Sequence, residues 1–229
     1  MSNMHQYKIP ESVQERVLRR KGRPFSIEVV DTKLAALIVV DMQNHFVAKG
    51  FPSEVPFART IVPNINRIAE AMRSAGGTVV WIQTTAAGAL ERWGNHHKYG
   101  LRPEVRERRL ASLAEDAEGF TLYPMLELMP TDLRVKKIMF SALVTGSSPL
   151  HDMLTERGID TLLIAGTTTN VCCESTARDA MMLDYRVAML SDGCAAQTDE
   201  EHCAALNSFQ LYFGDVMTTG QAIDRLAPT

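Results

Sequence analysis

The fold is decided by the stretch from Ile164 to Ala180, which reads IAGTTTNVCCESTARDA. It predicts a buried strand over 161–166, a turn of small residues, and a helix over 172–184 with Cys172 in or near its first turn. A helix N-terminus carries partial positive charge and unpaired N–H groups, so it can lower the pKa of a thiol and bind an oxyanion. The placement therefore predicts a cysteine nucleophile at Cys172. A structural role is the expectation for the remaining cysteines, Cys173, Cys194 and Cys203.

Apolar runs and helix-compatible segments alternate along the rest of the chain. Strands are predicted over 34–40, 78–83, 134–139, 186–191 and near 215–217. Helices are predicted over 11–20, 58–75, 148–157 and 199–213. The long stretch from 84 to 131 is predicted to be irregular. Because alternating strands and helices build a parallel sheet covered on both faces, the predicted fold class is α/β.

Two charged positions are candidates to act with the cysteine. Asp41 follows the apolar run 34–40, at the carboxyl end of a predicted strand, where α/β sheets bind ligands. A loop-capping role for this aspartate is equally compatible with the sequence. Lys136 and Lys137 lie in another predicted strand, whose alternation points them to opposite sides. One of the two lysines can therefore face a cleft while the other faces water.

Taken together, these segments resemble the isochorismatase-like cysteine hydrolases. The resemblance rests on Asp41-Met42-Gln43-Asn44, on Lys137 four residues before Ser141-Ala142, and on the run from Gly166 to Ala180. It covers the chain from about Leu34 to Ile223 and implies a three-layer α/β/α Rossmann-like fold with a mostly parallel sheet.

The resemblance also implies the chemistry of the site. Cys172 would be the nucleophile, Asp41 the general base, and Lys137 a cation that favours the thiolate. An oxyanion hole would be formed by the backbone N–H groups of Thr168 and Cys172, next to a cis peptide bond between Thr167 and Thr168. A covalent intermediate on the cysteine would then be hydrolysed by water.

Pocket residues follow from the same resemblance. Gln43 and Asn44 would orient Asp41 or the substrate amide. Three aromatic side chains would pack against the substrate: Phe46, Trp81 and Trp93. A core-packing role stays open for each of them.

No metal and no other cofactor are expected. Nicotinamidases within the family hold a metal with an Asp-x-His element after the second strand, and this chain has Gln83-Thr84-Thr85 there. His96 and His97 are adjacent, so they are less suited to a shared ion than an i, i+4 pair. Their stretch is interpreted as a pocket wall or lid, or as a polar surface loop.

The predicted function is that of a metal-independent cysteine amidohydrolase. It would cleave the C–N bond of a small amide or ureido (N-carbamoyl) compound and release ammonia. The segment from Thr169 to Thr176 is most similar to the ureidoacrylate and N-carbamoyl amidohydrolase branch, whereas the segment after Ser141-Ala142 departs from it. A non-hydrolytic binding or redox-sensing relative, using Cys172 and Cys173, is one alternative, and a hydrolase of a small ester or ether is another.

Composition argues against several other classes of protein. The formal net charge of −3 gives no electrostatic reason to expect a nucleic-acid or membrane partner. No Gly-x-Gly-x-x-Gly follows the first strand of the predicted sheet, which disfavours a dinucleotide. Four cysteines, two of them adjacent, do not form a disulfide framework, so a reducing, cytoplasmic setting is expected.

Residues 1–33 are interpreted as a polar, locally basic extension that is solvated or contacts another subunit. Residues 34–229 form the predicted hydrolase domain. Relatives are commonly dimers or tetramers, so a homodimer or homotetramer is expected.

Overall fold

The computed structural model describes residues 5–227. Residues 1–4 of the predicted extension and residues 228–229 of the predicted domain lie outside it. The strands are β1 (Val30–Asp31), β2 (Ala35–Val40), β3 (Thr78–Thr84), β4 (Leu133–Lys137), β5 (Thr161–Thr167), β6 (Arg186–Ala195), β7 (Asp215–Met217) and β8 (Leu226–Ala227). The helices are α1 (Glu11–Lys21), α2 (Asn44–Val47), α3 (Val62–Ser74), α4 (Ala89–Arg92), α5 (Gly94–Tyr99), α6 (Pro103–Ser112), α7 (Leu150–Thr155), α8 (Glu174–Met182), α9 (Asp199–Tyr212) and α10 (Thr219–Ile223). Short 3₁₀ turns lie at Thr32–Leu34, Pro56–Ile61 and Glu118–Phe120, and a π-helical turn lies at Thr169–Cys173.

Six of the strands form one parallel sheet in the order β4-β3-β2-β5-β6-β7. β1 and β8 pair in parallel as a separate two-stranded sheet. β2 and β5 lie at the centre of the large sheet, and every one of their residues is buried. A strand covered on both faces is expected to be largely apolar, as β2 is throughout and β5 is between its terminal threonines. The predicted α/β fold with a mostly parallel sheet is confirmed.

The core has two layers, one on each face of the sheet. Successive residues of β2 enter opposite layers, so Leu37 and Val39 pack with α3, whereas Ile38 and Val40 pack with α8 and α9. Cys172 belongs to the second layer. Burial of each aliphatic side chain stabilises the folded chain by roughly 1.5–3 kcal/mol. The two layers therefore hold the sheet in place, and with it the ends of its strands.

The stretch from 84 to 131 is not irregular throughout, which corrects the prediction. It contains the three short helices α4, α5 and α6. α6 begins with Pro103 in its first turn, a favourable position for proline, but none of its residues is buried as a whole. The helix therefore lacks the apolar periodicity that reveals a helix in sequence.

The N-terminal extension packs on its own chain, so it is not the fully solvated arm that was one of our two expectations; a contact with another subunit stays a prediction. Val17 of α1 is buried, and α1 lies against α9. Asp215 of β7 accepts hydrogen bonds from the N–H groups of Ser26 and Ile27, at 2.7 Å each, and pairs with Lys21 at 2.6 Å. A buried carboxylate with three donors is a strong anchor for this segment.

None of the helices in the described part of the chain has the length and apolarity that a membrane span requires.

Candidate active site

The site lies at the carboxyl edge of the sheet, where four neighbouring parallel strands end. Asp41 follows β2, Thr84 ends β3, Lys137 ends β4, and the turn after β5 contains Cys172. Thr84 and Lys137 are direct partners in the register of β3 and β4. The strand order, which the sequence does not specify, therefore brings these four side chains together.

Asp41 and Lys137 form a buried ion pair. Lys137 Nζ lies 2.8 Å from Asp41 Oδ2, and the exposed fractions of the two side chains are 1% and 0%. Lys137 Nζ also donates to Thr84 Oγ1 at 2.6 Å, and that hydroxyl donates to Asp41 Oδ1 at 2.9 Å. Lys136 points the other way and pairs with Glu115 at the surface. Because removing one member of a buried pair costs about 3–5 kcal/mol, this arrangement fixes both charges.

Gln43 holds the end of β3 through its side-chain amide. Its Oε1 accepts the Thr84 N–H at 2.7 Å, and its Nε2 donates to the carbonyls of Thr84 (3.0 Å) and Phe120 (2.9 Å). The amide is therefore occupied by the protein, and it orients Asp41 indirectly, through Thr84. Asn44 likewise donates to Thr121 Oγ1 and to the Glu118 carbonyl, which holds the neighbouring loop.

Cys172 lies in the π-helical turn that precedes α8. The N–H groups of Val171 and Cys173 both donate to the carbonyl of Thr168, at 3.1 Å each, and the peptide bond between Thr167 and Thr168 is cis. Only 5% of Cys172 is exposed. The turn therefore presents the thiol to the edge of the sheet from a closed position.

Burial raises the pKa of the Cys172 thiol to about 12; the nearby Lys137 lowers that pKa, and the Asp41 carboxylate raises it. The thiol is thus protonated at neutral pH in the free protein. The sequence led us to expect that the helix start and Lys137 would favour the thiolate. Desolvation outweighs them, so a base has to remove the proton when the reaction begins.

The lysine stays charged by contrast. Burial lowers the pKa of Lys137, but the charge and the hydrogen bond of Asp41 act in the other direction, together with Cys172 once its thiol is ionised, so that the pKa is raised. A fixed cation therefore lies beside the carboxylate and the thiol.

Arg109, from α6, is a charged residue of this region that our reading of the sequence missed. Burial lowers its pKa, and Cys172 in its ionised form and the Asp41 carboxylate oppose that effect, which places its guanidinium within electrostatic reach of both. Its Cζ lies 5.9 Å from the centre of the Phe46 ring. Nothing in the sequence distinguishes this arginine from the other basic residues of its helix.

Three histidines lie within electrostatic reach of Arg109. Burial and the arginine's charge lower the pKa of His45 to about 3 and also lower the pKa values of His96 and His97. His45 Nδ1 contacts Ser112 Oγ at 2.8 Å, whereas His45 Nε2 and His97 Nδ1 are buried with no hydrogen-bond partner among residues 5–227. Within that same range, no group of three or more His, Cys, Asp or Glu residues is arranged to hold a metal ion.

The three aromatic candidates have different positions. Phe46 lies under Arg109 and is almost fully buried. Trp93 stacks on His96 with ring centres 3.9 Å apart and meets Phe140 edge-on. Phe46 is a core residue of the layer that packs on α3, and only the stretch around Trp93, next to Phe140 after β4, stays a candidate pocket wall.

Trp81 does not join this wall, which corrects its assignment to the substrate pocket. Its side chain is fully buried in the layer that packs on α3, opposite to the layer of Cys172. Its indole Nε1 donates to Asp132 Oδ2 at 2.8 Å. Strand alternation explains the difference, because neighbouring residues of β3 point to opposite faces.

The space beside the site is small. A cavity lined by Thr84, His97, Arg109 and Ile138 holds about 10 Å³, which is room for about one water molecule. A larger cavity of about 380 Å³ lies far from this chemistry, between the N-terminal segment and β7. The site is therefore defined by its side chains, and α6 contributes Arg109 and Leu110 to the wall of this small cavity.

Comparisons with known proteins agree with this geometry. The family described as the isochorismatase domain matches residues 35–221. A cysteine hydrolase from Pseudomonas syringae pv. phaseolicola 1448A is 26% identical with a TM-score of 0.76, over 89% of this chain and 97% of that one. An isochorismatase-like hydrolase from Alkaliphilus metalliredigens is 32% identical with a TM-score of 0.68, over 83% and 95% of the two chains. N-carbamoylsarcosine amidase from Thermoplasma acidophilum is 25% identical with a TM-score of 0.63, over 81% and 96%.

Proposed function

The chain belongs to the isochorismatase family, and we propose that it is a metal-independent cysteine amidohydrolase of small amide or ureido compounds. As a member of this family it is a hydrolase. The observation that supports the amide substrate most strongly is the joint burial of Asp41, Lys137 and Cys172 at one sheet edge. A nucleophile, a base and a fixed cation are what acyl transfer from nitrogen requires.

In the proposed first step, the thiol proton of Cys172 passes to Asp41 and the sulfur attacks the carbonyl carbon. Asp41 Oδ1 accepts from Thr84, and Oδ2 keeps a lone pair beside its contact with Lys137, so this oxygen can take the proton. Negative charge then develops on the carbonyl oxygen. The N–H groups of Thr168 and Cys172 are the donors that we propose for it.

The tetrahedral adduct then collapses. Asp41 returns the proton to the leaving nitrogen, the C–N bond breaks, and ammonia departs from a primary amide, which leaves the acyl group on sulfur. Asp41 next takes a proton from water, whose oxygen attacks the same carbon. The S–C bond breaks and the sulfur recovers its proton. Lys137 stays charged through both steps and stabilises each anionic state.

The finer assignment is to the ureidoacrylate and N-carbamoyl branch. It is supported by the turn from Thr169 to Cys172 and by the similarity to N-carbamoylsarcosine amidase. The redox-sensing alternative has less support, because Cys173 is fully buried and its Sγ lies 3.9 Å from the Ala165 carbonyl, on the core side of the turn.

Ammonia release from a panel of small amides tests the proposal. The panel contains maleamate, ureidoacrylate, N-carbamoyl amino acids and nicotinamide, each with wild type, Cys172→Ala and the control Cys203→Ala. Cys203 is half-buried on α9, so its loss should leave turnover unchanged. We expect release from at least one compound that disappears in Cys172→Ala alone. Turnover that survives in Cys172→Ala would reject the assigned nucleophile.

We further propose a homodimer or homotetramer in a reducing compartment. All four cysteines are free thiols, and Met182 and Leu183 at the end of α8 expose apolar side chains, 71% and 40% respectively. Sedimentation of wild type and Met182→Glu would test self-association, and a monomer for the wild type would contradict it.

A further inference from the structure

We propose that His202 is a positioning residue of the active site: it holds the π-helical turn that contains Cys172, and His5 of the N-terminal segment holds His202. The N-terminal segment thereby supports the nucleophile, although the two are far apart in sequence. The effect on turnover rests on the proposed function, whereas the contact between these elements does not.

His202 is a buried imidazole of α9 that bonds to the turn. Its Nδ1 lies 2.8 Å from Thr169 Oγ1, and both residues are fully buried. Its Nε2 is buried with no hydrogen-bond partner in the described part of the chain. Burial lowers the pKa of His202 to about 4, so the ring is neutral at neutral pH and Nδ1 can accept the hydroxyl proton of Thr169. Because an unpaired buried nitrogen is costly, the bond to Thr169 is what a histidine offers here over an apolar side chain.

Thr169 is the residue at which the turn begins. Its carbonyl accepts the N–H of Glu174 at the start of α8, and the carbonyl before it, that of Thr168, accepts the N–H of Cys173 at 3.1 Å. The helix α9 packs directly against this turn. The bond between Thr169 and His202 therefore joins the base of the turn to a long helix. Since small displacements of a reacting group lower rates strongly, this bond supports the placement of the Cys172 sulfur.

His5 fixes the ring of His202. The two imidazoles stack with ring centres 4.3 Å apart, and His5 also stacks on Phe57 at 4.0 Å. His5 Nε2 accepts the N–H of Ala196 at 3.0 Å, so the ring proton lies on Nδ1 and is donated to the carboxylate of Asp199. Both nitrogens of His5 are thus engaged by its own chain. The N-terminal segment therefore presents a rigid ring to His202.

Alkylation of Cys172 by iodoacetamide tests the contact without any need for turnover. Thr169→Val removes the hydroxyl and keeps the shape of the side chain, whereas Thr169→Ser keeps the hydroxyl and is the matched control. Fragment-ion mass spectrometry gives the rate at Cys172, and the rate at Cys194, which is fully buried in β6, reports global unfolding.

We expect Thr169→Val to loosen the turn and to raise the rate at Cys172 by roughly 5–30-fold, as the loss of one buried hydrogen bond allows. The rate at Cys194 should not change, and Thr169→Ser should stay within about twofold of wild type. An unchanged rate at Cys172 in Thr169→Val would overturn the inference. Equal rises at both cysteines would overturn it as well, because they would mean a general loss of stability.

A double-mutant cycle shows whether the two side chains act through each other. His202→Leu should raise the rate at Cys172 as Thr169→Val does, and Thr169→Val should add little in the His202→Leu background. His202→Asn, whose amide oxygen can replace Nδ1 as an acceptor, should restore part of the wild-type behaviour. Effects that multiply in the double variant would mean that the residues act independently, which would overturn the inference.

His5→Leu covers the case in which the variants of buried residues do not fold. It removes the stacked ring and should raise the alkylation rate of Cys172 by roughly 2–10-fold. Tyr7→Phe is the matched control, because it removes the hydrogen bonds from the Tyr7 hydroxyl to Asn207 (2.9 Å) and Gln210 (3.2 Å) on α9 and leaves the stack in place. It should keep the wild-type rate. Equal rates in His5→Leu and Tyr7→Phe would overturn the inference.

Turnover adds a readout that a loss of stability would not give. With a compound that the enzyme hydrolyses, Thr169→Val should lower kcat roughly 5–30-fold and leave KM within about twofold, while alkylation of Cys172 becomes faster. A loss that appears in KM alone would overturn the positioning role. The expected alkylation pattern with no ammonia release from any amide in wild type would instead retain the contact and reject the proposed function.

Discussion

Replacing Thr84 by valine tests whether its hydroxyl couples the base to the lysine. The change keeps the shape of the side chain and removes two hydrogen bonds to charged groups, one to Asp41 Oδ1 at 2.9 Å and one from Lys137 Nζ at 2.6 Å. Such bonds contribute about 1.5–3 kcal/mol each. The ion pair at 2.8 Å remains and compensates in part, so we expect a net loss of about 3 kcal/mol.

For a chain of this size, that loss corresponds to a fall in Tm of roughly 6–12 °C. The same hydroxyl aims Asp41 at the thiol, and the loss of about 2 kcal/mol in the transition state would lower kcat roughly 30-fold. Scanning calorimetry and ammonia release measure the two effects. Thr84→Ser retains the hydroxyl and is the matched control, with a Tm close to wild type and most of the activity. A Thr84→Val enzyme that melts within about 2 °C of wild type and keeps full kcat would refute this reasoning.

Three further expectations concern the thiol, the central strands and the N-terminal segment. Because its pKa is raised to about 12, Cys172 in the free protein should be alkylated by iodoacetamide about tenfold faster per pH unit between about pH 7 and 10; a plateau near neutrality would contradict the raised pKa. Gly166→Ala places a Cβ 2.1 Å from a carbonyl oxygen of β2, so it should lower Tm by at least about 8 °C. Gly220→Ala, whose Cβ would lie 3.8 Å from Thr218 Oγ1 in ordinary van der Waals contact, should change Tm little; equal melting temperatures would show that the two strands can separate. Asp215→Asn weakens the anchor of residues 26–27, so limited trypsin digestion should cut the N-terminal segment at least several-fold faster than in wild type. The control Asp224→Asn changes an exposed aspartate and should leave the cleavage rate unchanged. Equal cleavage rates in the two variants would show that the segment is held in another way.

The sheet and the three candidate catalytic residues were the parts of the molecule most accessible from sequence. The apolar run 35–40 and the turn before Cys172 have local patterns that predict their structure, since buried parallel strands and helix starts are encoded by neighbouring residues. Asp41 and Lys137 were placed through their position relative to these segments. The structure brings the three side chains together as the resemblance implied.

The supporting residues were only partly accessible in this way. Gln43 was named from the resemblance, but Thr84, through which it reaches Asp41, was not, because the contact of Thr84 with Asp41 depends on strand order, which local pattern does not contain. Arg109 lies on a polar helix with no buried face, where sequence offers no reason to prefer one arginine over another. Trp81 is an error of the opposite kind, a residue that was assigned to the pocket and does not belong to it. It precedes Gln83 and Thr84 in β3, but its side chain lies in the core layer opposite to that of Cys172.

The pKa of Cys172 shows that electrostatic properties, too, are only partly predictable from sequence. A helix start and a nearby lysine are visible in sequence, and both favour the thiolate. The degree of burial is a property of the folded chain, and here it dominates. We therefore propose that Asp41, which the resemblance implied as the general base, has to remove the proton from a thiol that burial keeps protonated.

The central claim is a covalent intermediate on Cys172, and product partitioning with hydroxylamine tests it most directly. The primary amide and the methyl ester of one acid, chosen from a compound that the enzyme turns over, are hydrolysed in the presence of a fixed concentration of hydroxylamine. A shared acyl-cysteine intermediate requires the same ratio of hydroxamate to free acid from both compounds, because the leaving group has already departed. We predict identical ratios. A ratio that depends on the leaving group would mean that water attacks the substrate directly, and it would contradict this account.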